Sequence, residues 1–155
     1  MALSTRRRSG AGRRRWPNPA RVRVPQGSSF VDARGEIREL IEAAFGSALV
    51  IHSVKGAVRG NHYHKTDYHY CWLQRCRMLY LHRPVGQTGP APRWTIKPGQ
   101  MFYTPPGYEH AMHFAEDSVL LVFARNNREM AHYEADTIRI PPLVGITNDQ
   151  IPNTK

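Results

Sequence analysis

The chain has few cysteines and no long apolar run, and each of these shortages excludes classes of protein. Only Cys71 and Cys76 occur among 155 residues, so neither a disulfide framework nor a zinc C-x-x-C pair is expected. Two thiols without such a framework fit a reducing compartment, and we expect a cytoplasmic protein. No run approaches the length of a membrane span, and no apolar segment follows the first arginines as a secretory signal requires. A membrane partner is therefore not expected.

Acidic residues are missing from the first 25 positions, which hold eight arginines. The other 130 residues carry 14 Lys and Arg against 12 Asp and Glu, so the net charge of +10 belongs to the amino end. This composition predicts a disordered basic tail over residues 1–27. We interpret the tail as a solvated extension, with an arm that contacts nucleic acid or an anionic surface and a transit-type peptide as alternatives. Nucleic acid is not an expected partner of the folded part.

Beyond the tail, short β-rich runs are separated by Gly and Pro. Strands are predicted at 49–54, 58–64, 68–73, 78–82, 93–96, 101–104, 110–114, 119–124 and 133–140. Residues 36–45 are ambiguous between a helix and a strand. Short strands at this regular spacing predict one all-β barrel or sandwich over 28–145, followed by a C-terminal extension over 146–155.

Four histidines lie at spacings that suit one site. His62 and His64 are two apart, so on a strand both side chains point to the same face. His69 follows a turn, and His110 follows a Pro-Pro-Gly turn that delivers it from another strand. Four neutral nitrogen ligands would suit Fe, Ni, Zn, Co or Cu, while histidines without a ligand role are also common on strand faces.

The two histidine segments resemble the two motifs of the cupin superfamily, G-x5-H-x-H-x3,4-E-x6-G and G-x5-P-x-G-x2-H-x3-N. The matching positions are Gly56, His62, His64, His69, Gly99, Pro105, Gly107 and His110. The departures are His69 for Glu, Cys76 for Gly and Phe114 for Asn. The resemblance implies a jelly-roll barrel, commonly homodimeric, with a divalent metal on the four histidines.

The run from Arg59 to Lys65, R-G-N-H-Y-H-K, is similar to that of the cupin-type sugar-nucleotide 3,4-ketoisomerases, and its R-G-x-H part to that of the nucleotide-sugar 3,5-epimerases. This narrower resemblance implies that His62 and His64 are an acid/base pair acting without a metal. It implies that Arg59 binds the diphosphate of a nucleotide-linked sugar. Lys65, Tyr70 and Tyr103 are further candidates for substrate binding, with a solvated lysine and packed tyrosines as the alternatives.

Three functions follow from these resemblances. The first is an isomerase or epimerase acting on a nucleotide-linked keto-sugar in polysaccharide or antibiotic-sugar pathways. The second is a metal-dependent cupin enzyme, such as a dioxygenase or a metal-assisted isomerase. The third is a cupin that binds a metal or another ligand without turnover. Fold alone does not separate them.

Overall fold

The computed structural model describes residues 21–143, so residues 1–20 of the tail predicted over 1–27 and the whole extension predicted over 146–155 lie outside this range. Its elements are β1 (Arg23–Val24), β2 (Ser29–Asp32), β3 (Gly35–Arg38), β4 (Ser47–Ser53), β5 (Val58–His64), β6 (His69–Arg75), β7 (Met78–Pro84), β8 (Arg93–Ile96), β9 (Met101–Thr104), β10 (Tyr108–Phe114), β11 (Ser118–Ala124), α1 (Met130–Asp136) and β12 (Thr137–Arg139).

Two five-stranded antiparallel sheets form the barrel. The first sheet has the order β1-β9-β6-β11-β4, and the second has the order β12-β5-β10-β7-β8. The strands β2 and β3 form a separate hairpin around the turn at Asp32–Gly35. The predicted all-β jelly roll is confirmed, with one short helix added to it.

The core lies between the two sheets. Alternate residues of the central strands face it, because successive side chains of a strand point to opposite faces. The buried inner residues include Cys71, Leu73, Met78, Tyr80, Ile96, Phe102, Phe114, Leu120 and Val122. Two smaller apolar clusters cover the outer faces. One contains Tyr68, Tyr70, Met101 and Tyr103, and the other contains Leu79, Leu81, Ala91, Ala111 and Leu143.

Two sequence-based boundaries differ from the structure. The strand predicted over 133–140 is a helix over Met130–Asp136, followed by the short strand β12. The folded part also begins before residue 28, since β1 pairs with β9 and Val22 is buried in the core. Within residues 21–143, no helix has the length and apolar character needed to cross a membrane.

Candidate functional site

Three histidines form one row across the second sheet. In the strand register, His62 of β5 lies opposite His110 of β10, and His110 lies opposite His82 of β7. His64 lies two residues farther along β5, on the same face as His62. The inner residues Met78 and Tyr80 share the face of His82, so the row points into the barrel. Of the motif histidines, His62, His64 and His110 thus lie on the neighbouring strands β5 and β10.

A β-bulge in β5 shapes the row. His110 and Ala111 are adjacent on β10, but their partners His62 and Gly60 are separated by the extra residue Asn61. Gly60 and Asn61 both have positive φ angles, of 90° and 54°. Gly60 tolerates this conformation because it has no Cβ, and an added Cβ would meet the His110 carbonyl oxygen at 2.7 Å. The close approach of the two strands thus depends on glycine.

Three of the four predicted histidines converge. One ring nitrogen each from His62, His64 and His110 lies within 4.8 Å of those of the other two. The ring centroids of His62 and His110 are 4.6 Å apart, and those of His62 and His64 are 4.8 Å apart. His69 approaches from the first sheet, with its ring centroid 4.6 Å from that of His64. Its Nε2 faces the Asp67 carboxylate at 3.1 Å instead of joining the group of three.

Hydrogen bonds orient the imidazoles. His64 Nδ1 lies 3.4 Å from Asp136 Oδ2 and 3.3 Å from the Thr137 hydroxyl. His110 Nδ1 donates to the Tyr108 carbonyl at 3.2 Å. These contacts place the ring proton on Nδ1 of His64 and His110, so that Nε2 carries the lone pair. The Nε2 of His64 is buried and has no hydrogen-bond partner within residues 21–143.

Two carboxylates, those of Asp67 and Asp136, contact the histidines, and both accept hydrogen bonds from other groups. Asp136 accepts hydrogen bonds from the Thr66 amide at 2.8 Å, the Thr66 hydroxyl at 2.7 Å and the Asp67 amide at 3.1 Å. Asp67 accepts from the amides of Tyr68 and Asn126. Burial alone would raise the pKa of each carboxyl, but hydrogen bonds from their neighbours outweigh it and lower both pKa values. Both groups are ionised at neutral pH.

The converging histidines are neutral at neutral pH. Burial and, to a smaller extent, the nearby histidines lower the pKa of His62 to about 4 and that of His64 to about 3. Burial also lowers the pKa of His110 well below its ordinary value. Since His64 is uncharged, its contact with Asp136 is a hydrogen bond from neutral Nδ1–H to a carboxylate, not an ion pair. The site offers free lone pairs in a poorly solvated space.

Across the bulge, the strand register places Arg59 on the face of β5 that carries His62, but its side chain is exposed and its guanidinium is already bonded. Its Nε donates to the Ser53 hydroxyl at 2.7 Å, and its Nη2 donates to the His52 carbonyl at 3.0 Å. Ser53 is buried at the end of β4 and alternates with Ile51, which packs against the core. Lys65 points elsewhere, since its Nζ donates to the Ala135 carbonyl at the end of α1 at 2.7 Å.

Tyr70 and Tyr103 do not lie with the histidines. They face each other across β6 and β9 with ring centroids 5.0 Å apart, in the cluster on the outer face of the first sheet. Their neighbours His69 and Thr104 face inward, and Thr104 contacts the buried Tyr80 hydroxyl at 3.0 Å. Adjacent strand residues point to opposite faces. This corrects the expectation that the two tyrosines line the histidine pocket, because the sheet separates them from it.

Sequence reasoning missed three residues near the site. His82 extends the histidine row and lies 3.3 Å from the Tyr80 hydroxyl through its Nδ1. Its alternation with Met78 and Tyr80 was a usable signal. Tyr133 has its ring centroid 5.9 Å from that of His64. Tyr133 and Asp136 escaped notice because residues 133–140 were interpreted as a strand.

The donor set of His62, His64 and His110 fits a transition-metal ion. Three neutral imidazole nitrogens that leave further coordination positions open are typical of catalytic metal sites. The Asp136 carboxylate behind His64 supplies the outer hydrogen bond that such ligands usually make. A bound ion would act there as a Lewis acid. The same lone pairs could instead accept protons from a substrate, and the geometry serves both uses.

Comparison with known proteins places the fold among sugar-nucleotide enzymes. The sugar 3,4-ketoisomerase QdtA from Thermoanaerobacterium thermosaccharolyticum, solved in complex with TDP, is 21% identical with a TM-score of 0.59, over 74% of this chain and 84% of that chain. The dTDP-4-dehydrorhamnose 3,5-epimerase from Sulfolobus tokodaii is 22% identical with a TM-score of 0.58, over 74% of each chain. The 3'-monoepimerase ChmJ from Streptomyces bikiniensis, solved with dTDP-quinovose, is 18% identical with a TM-score of 0.63, over 77% of this chain and 69% of that chain.

These likenesses establish the fold. No family model matches the sequence, and no curated protein matches it. The structural matches confirm the jelly-roll fold that the two histidine motifs predicted. At such low identity they show how the chain folds and leave its reaction to be argued from the site.

Proposed function

We propose that this chain is an isomerase or epimerase that moves a proton on a nucleotide-linked keto-sugar. The observation that carries the proposal is the state of His64. Its Nε2 is buried without a partner among residues 21–143, while its Nδ1 faces the ionised Asp136 carboxylate. A histidine held in this way can take a proton on one nitrogen while a carboxylate stabilises the imidazolium through the other. The solved structures with the same fold include sugar ketoisomerases and epimerases, which supports this choice of substrate.

The proposed step is proton abstraction next to a ketone. His64 Nε2 takes the proton from the sugar carbon beside the carbonyl, and the electron pair forms an enediolate whose oxygen is then protonated. To move the ketone, the adjacent hydroxyl loses its proton through His62, whose ring is 4.8 Å away, to the former carbonyl oxygen, and protonated His64 delivers its proton to the former carbonyl carbon. To invert the centre, His62 protonated from the medium delivers a proton to the original carbon from the opposite face, and His64 releases its proton to the medium. Both outcomes need two proton-transferring groups within one small pocket.

The low histidine pKa values set a condition on this chemistry. A pKa of about 3 keeps His64 unprotonated at neutral pH, but it also makes His64 a weak proton acceptor. A diphosphate and an enediolate are both negative, and negative charge near an imidazole raises its pKa. Substrate binding therefore strengthens the base that burial weakens. The histidines would thus stay unprotonated in the empty pocket and become stronger bases when the substrate is bound.

The predicted contacts to the diphosphate are Arg59 and Lys65. Both already donate hydrogen bonds to protein oxygens, from Ser53, His52 and Ala135. Diphosphate binding through either side chain would exchange these bonds for stronger ones to a charged acceptor. A role for Arg59 is the more favourable of the two, because the register of β5 places it on the same face as His62.

Hydrogen exchange on a keto-sugar tests the reaction. TDP-4-keto-6-deoxyglucose would be incubated with the protein in D2O, and the proton at C3 beside the ketone would be followed by NMR. We expect loss of that signal with wild-type protein and no loss with His64→Asn. His132→Asn is the matched control, because His132 is exposed on α1. If folded wild-type protein leaves the C3 proton of this sugar and of its epimers in place, the proposed reaction is ruled out.

A metal-binding cupin is the second candidate, because the three histidine nitrogens lie so close together. A stoichiometric transition metal in protein purified without a histidine tag would favour it, and binding of dTDP by metal-free protein would favour the first. Binding without turnover of any keto-sugar would leave the non-catalytic alternative. The predicted homodimer is tested by light scattering after size exclusion.

A further inference from the structure

One cation near the site has neither a hydrogen-bond acceptor nor a counter-ion among residues 21–143. Arg128 lies in the short connection between β11 and α1. Across residues 21–143, no hydrogen bond or ion pair involves its guanidinium, and its Nε is buried without a partner. A buried N–H that has lost water and found no acceptor costs free energy comparable to a lost hydrogen bond. Such a donor is expected where an acceptor arrives from outside the chain.

The position of Arg128 ties it to the histidine pocket. Its guanidinium carbon lies 4.8 Å from the ring centroid of Tyr133, in a cation–π contact, and the ring of Tyr133 lies 5.9 Å from that of His64. The positive charge of Arg128 contributes to the lowered pKa of His62. It also opposes the rise that burial causes in the pKa of Cys71. His62 and Cys71 lie on the two different sheets, so the charge of Arg128 reaches groups on both.

The neighbouring cations are all occupied. Arg139 makes two hydrogen bonds of 2.8 Å to Glu134. Arg59 and Lys65 donate to protein oxygens as described, and Arg125 donates to the Thr66 carbonyl at 3.3 Å. The two carboxylates beside the histidines, those of Asp67 and Asp136, are held by backbone amides, by Thr66 and by the histidines. Arg128 therefore has no counter-ion in the described part of the chain.

We propose that Arg128 binds the anionic group of the ligand that enters the histidine pocket, the role that the sequence motif assigned to Arg59. On the proposed function, this group is the diphosphate of a nucleotide-linked sugar. A guanidinium makes paired, charge-assisted hydrogen bonds to phosphate oxygens. The ring of Tyr133, which lies against His64, holds the guanidinium in a cation–π contact, so less side-chain freedom is lost on binding. Because the histidines are neutral, they form no ion pair with the anion and do not compete with it for the guanidinium.

Calorimetric titration with inorganic pyrophosphate and with dTDP tests this assignment. The variants are Arg128→Gln, Arg128→Lys and Arg59→Gln, with Arg139→Gln as the matched control for removal of a nearby exposed, ion-paired arginine. We expect Arg128→Gln to weaken binding of both probes by about tenfold or more. Arg128→Lys should recover part of this loss, and Arg139→Gln should bind as wild type does. Unfolding temperatures measured on the same samples confirm that each variant is folded.

Each result decides between the two proposals. Wild-type affinity in Arg128→Gln, with weakened binding in Arg59→Gln, overturns the assignment of Arg128 and leaves the proposed function standing. Binding of pyrophosphate that depends on Arg128, without exchange of the sugar proton in D2O, supports the assignment and removes the proposed reaction. Failure of wild-type protein to bind either probe overturns both.

Discussion

His64 Nδ1 faces the Asp136 Oδ2 atom at 3.4 Å, across the junction between β5 and the end of α1. The carboxylate fixes the proton on Nδ1 and leaves Nε2 directed at His62 and His110. The contact joins the second sheet to the helix that sequence reasoning had taken for a strand. The working tautomer of the central histidine therefore depends on an element outside the two histidine motifs.

Replacing Asp136 by Asn should lower activity by changing the state of His64. We expect a loss of roughly 10- to 100-fold in sugar-proton exchange or in metal affinity, as for other groups that orient an active imidazole. Nitrogen NMR of the imidazole should show loss of the single Nδ1–H tautomer. Thr137→Val removes the other contact of Nδ1 and is the control, with a smaller effect expected. An unchanged tautomer in Asp136→Asn would contradict this positioning role.

Stability should fall as the pH is lowered from 7 to 5. His62 and His64 have folded-state pKa values of about 4 and about 3 against an ordinary value of 6.5, so the folded protein binds fewer protons than the unfolded chain in this range. Their contribution is complete above pH 6.5 and is lost as the pH approaches the folded pKa. We expect each to remove about 1–2 kcal/mol between pH 7 and pH 5. Urea unfolding in the presence of a chelator measures this.

The carboxylates give the pH experiment its internal check. The pKa values of Asp67 and Asp136 are below 3.8 in the folded protein, so their contribution is lost only at lower pH. A His62→Gln variant should show a shallower decline between pH 7 and pH 5 than wild type does. Equal slopes of stability against pH for the two proteins would mean that water solvates His62, which would contradict the desolvation of His62 in the structure.

The bulge at Gly60 should be intolerant of a side chain. An added Cβ would meet the His110 carbonyl oxygen at 2.7 Å, and φ is 90°. We expect Gly60→Ala to lower the free energy of unfolding by about 2 kcal/mol or more, and to displace His62 relative to His110. Gly56→Ala is the matched control, because φ there is 81° but nothing lies within 4 Å of an added Cβ. Its cost should be near 1 kcal/mol. Equal costs would show that the close approach does not matter.

The histidine positions were predictable because strand alternation and turn position act locally. The spacing of His62 and His64 on one strand requires only a period of two. His110 follows a Pro-Gly turn that sets where β10 starts. Cys76, which stands at the motif's last glycine, adopts the positive φ of 67° that glycine would supply. The motif thus predicted backbone conformation even where the residue differs.

The positions of the remaining site residues could not be predicted from strand alternation alone. Arg59 is three positions before His62, and simple alternation places it on the opposite face. The bulge at Gly60-Asn61 reverses this, and a glycine inside a strand was its only local sign. Tyr70 was misplaced for the opposite reason, since its neighbour His69 already faced inward. Tyr133 and Asp136 required recognition of a seven-residue helix rich in Ala, Met and Glu, which favour helices.

Changing the two outer tyrosines should leave ligand binding intact. Tyr70 and Tyr103 pack in the aromatic cluster on the outer face of the first sheet, so Tyr70→Phe and Tyr103→Phe should change dTDP affinity by less than about twofold. Titration of the same ligand into the Arg128→Gln variant provides the contrast. Weakening of dTDP binding by Tyr103→Phe to the level of Arg128→Gln would place the ligand on the outer face of the sheet.

A metal titration should show whether three or four histidines bind the ion. Co2+ added to metal-free protein gives a visible spectrum whose intensity reports the geometry of its ligands. We expect His110→Ala to abolish a bound spectrum, because one of the three converging nitrogens is lost. His69→Ala should retain most of the affinity, since its Nε2 already faces Asp67 at 3.1 Å. His132→Ala, on the exposed side of α1, controls for surface binding. An equal loss in His69→Ala and His110→Ala would show that the ion draws His69 away from Asp67 and uses the four ligands that the sequence motifs predict. If only His110→Ala loses the spectrum, Asp67 holds His69 out of the coordination sphere, and the ion keeps an open position for a ligand.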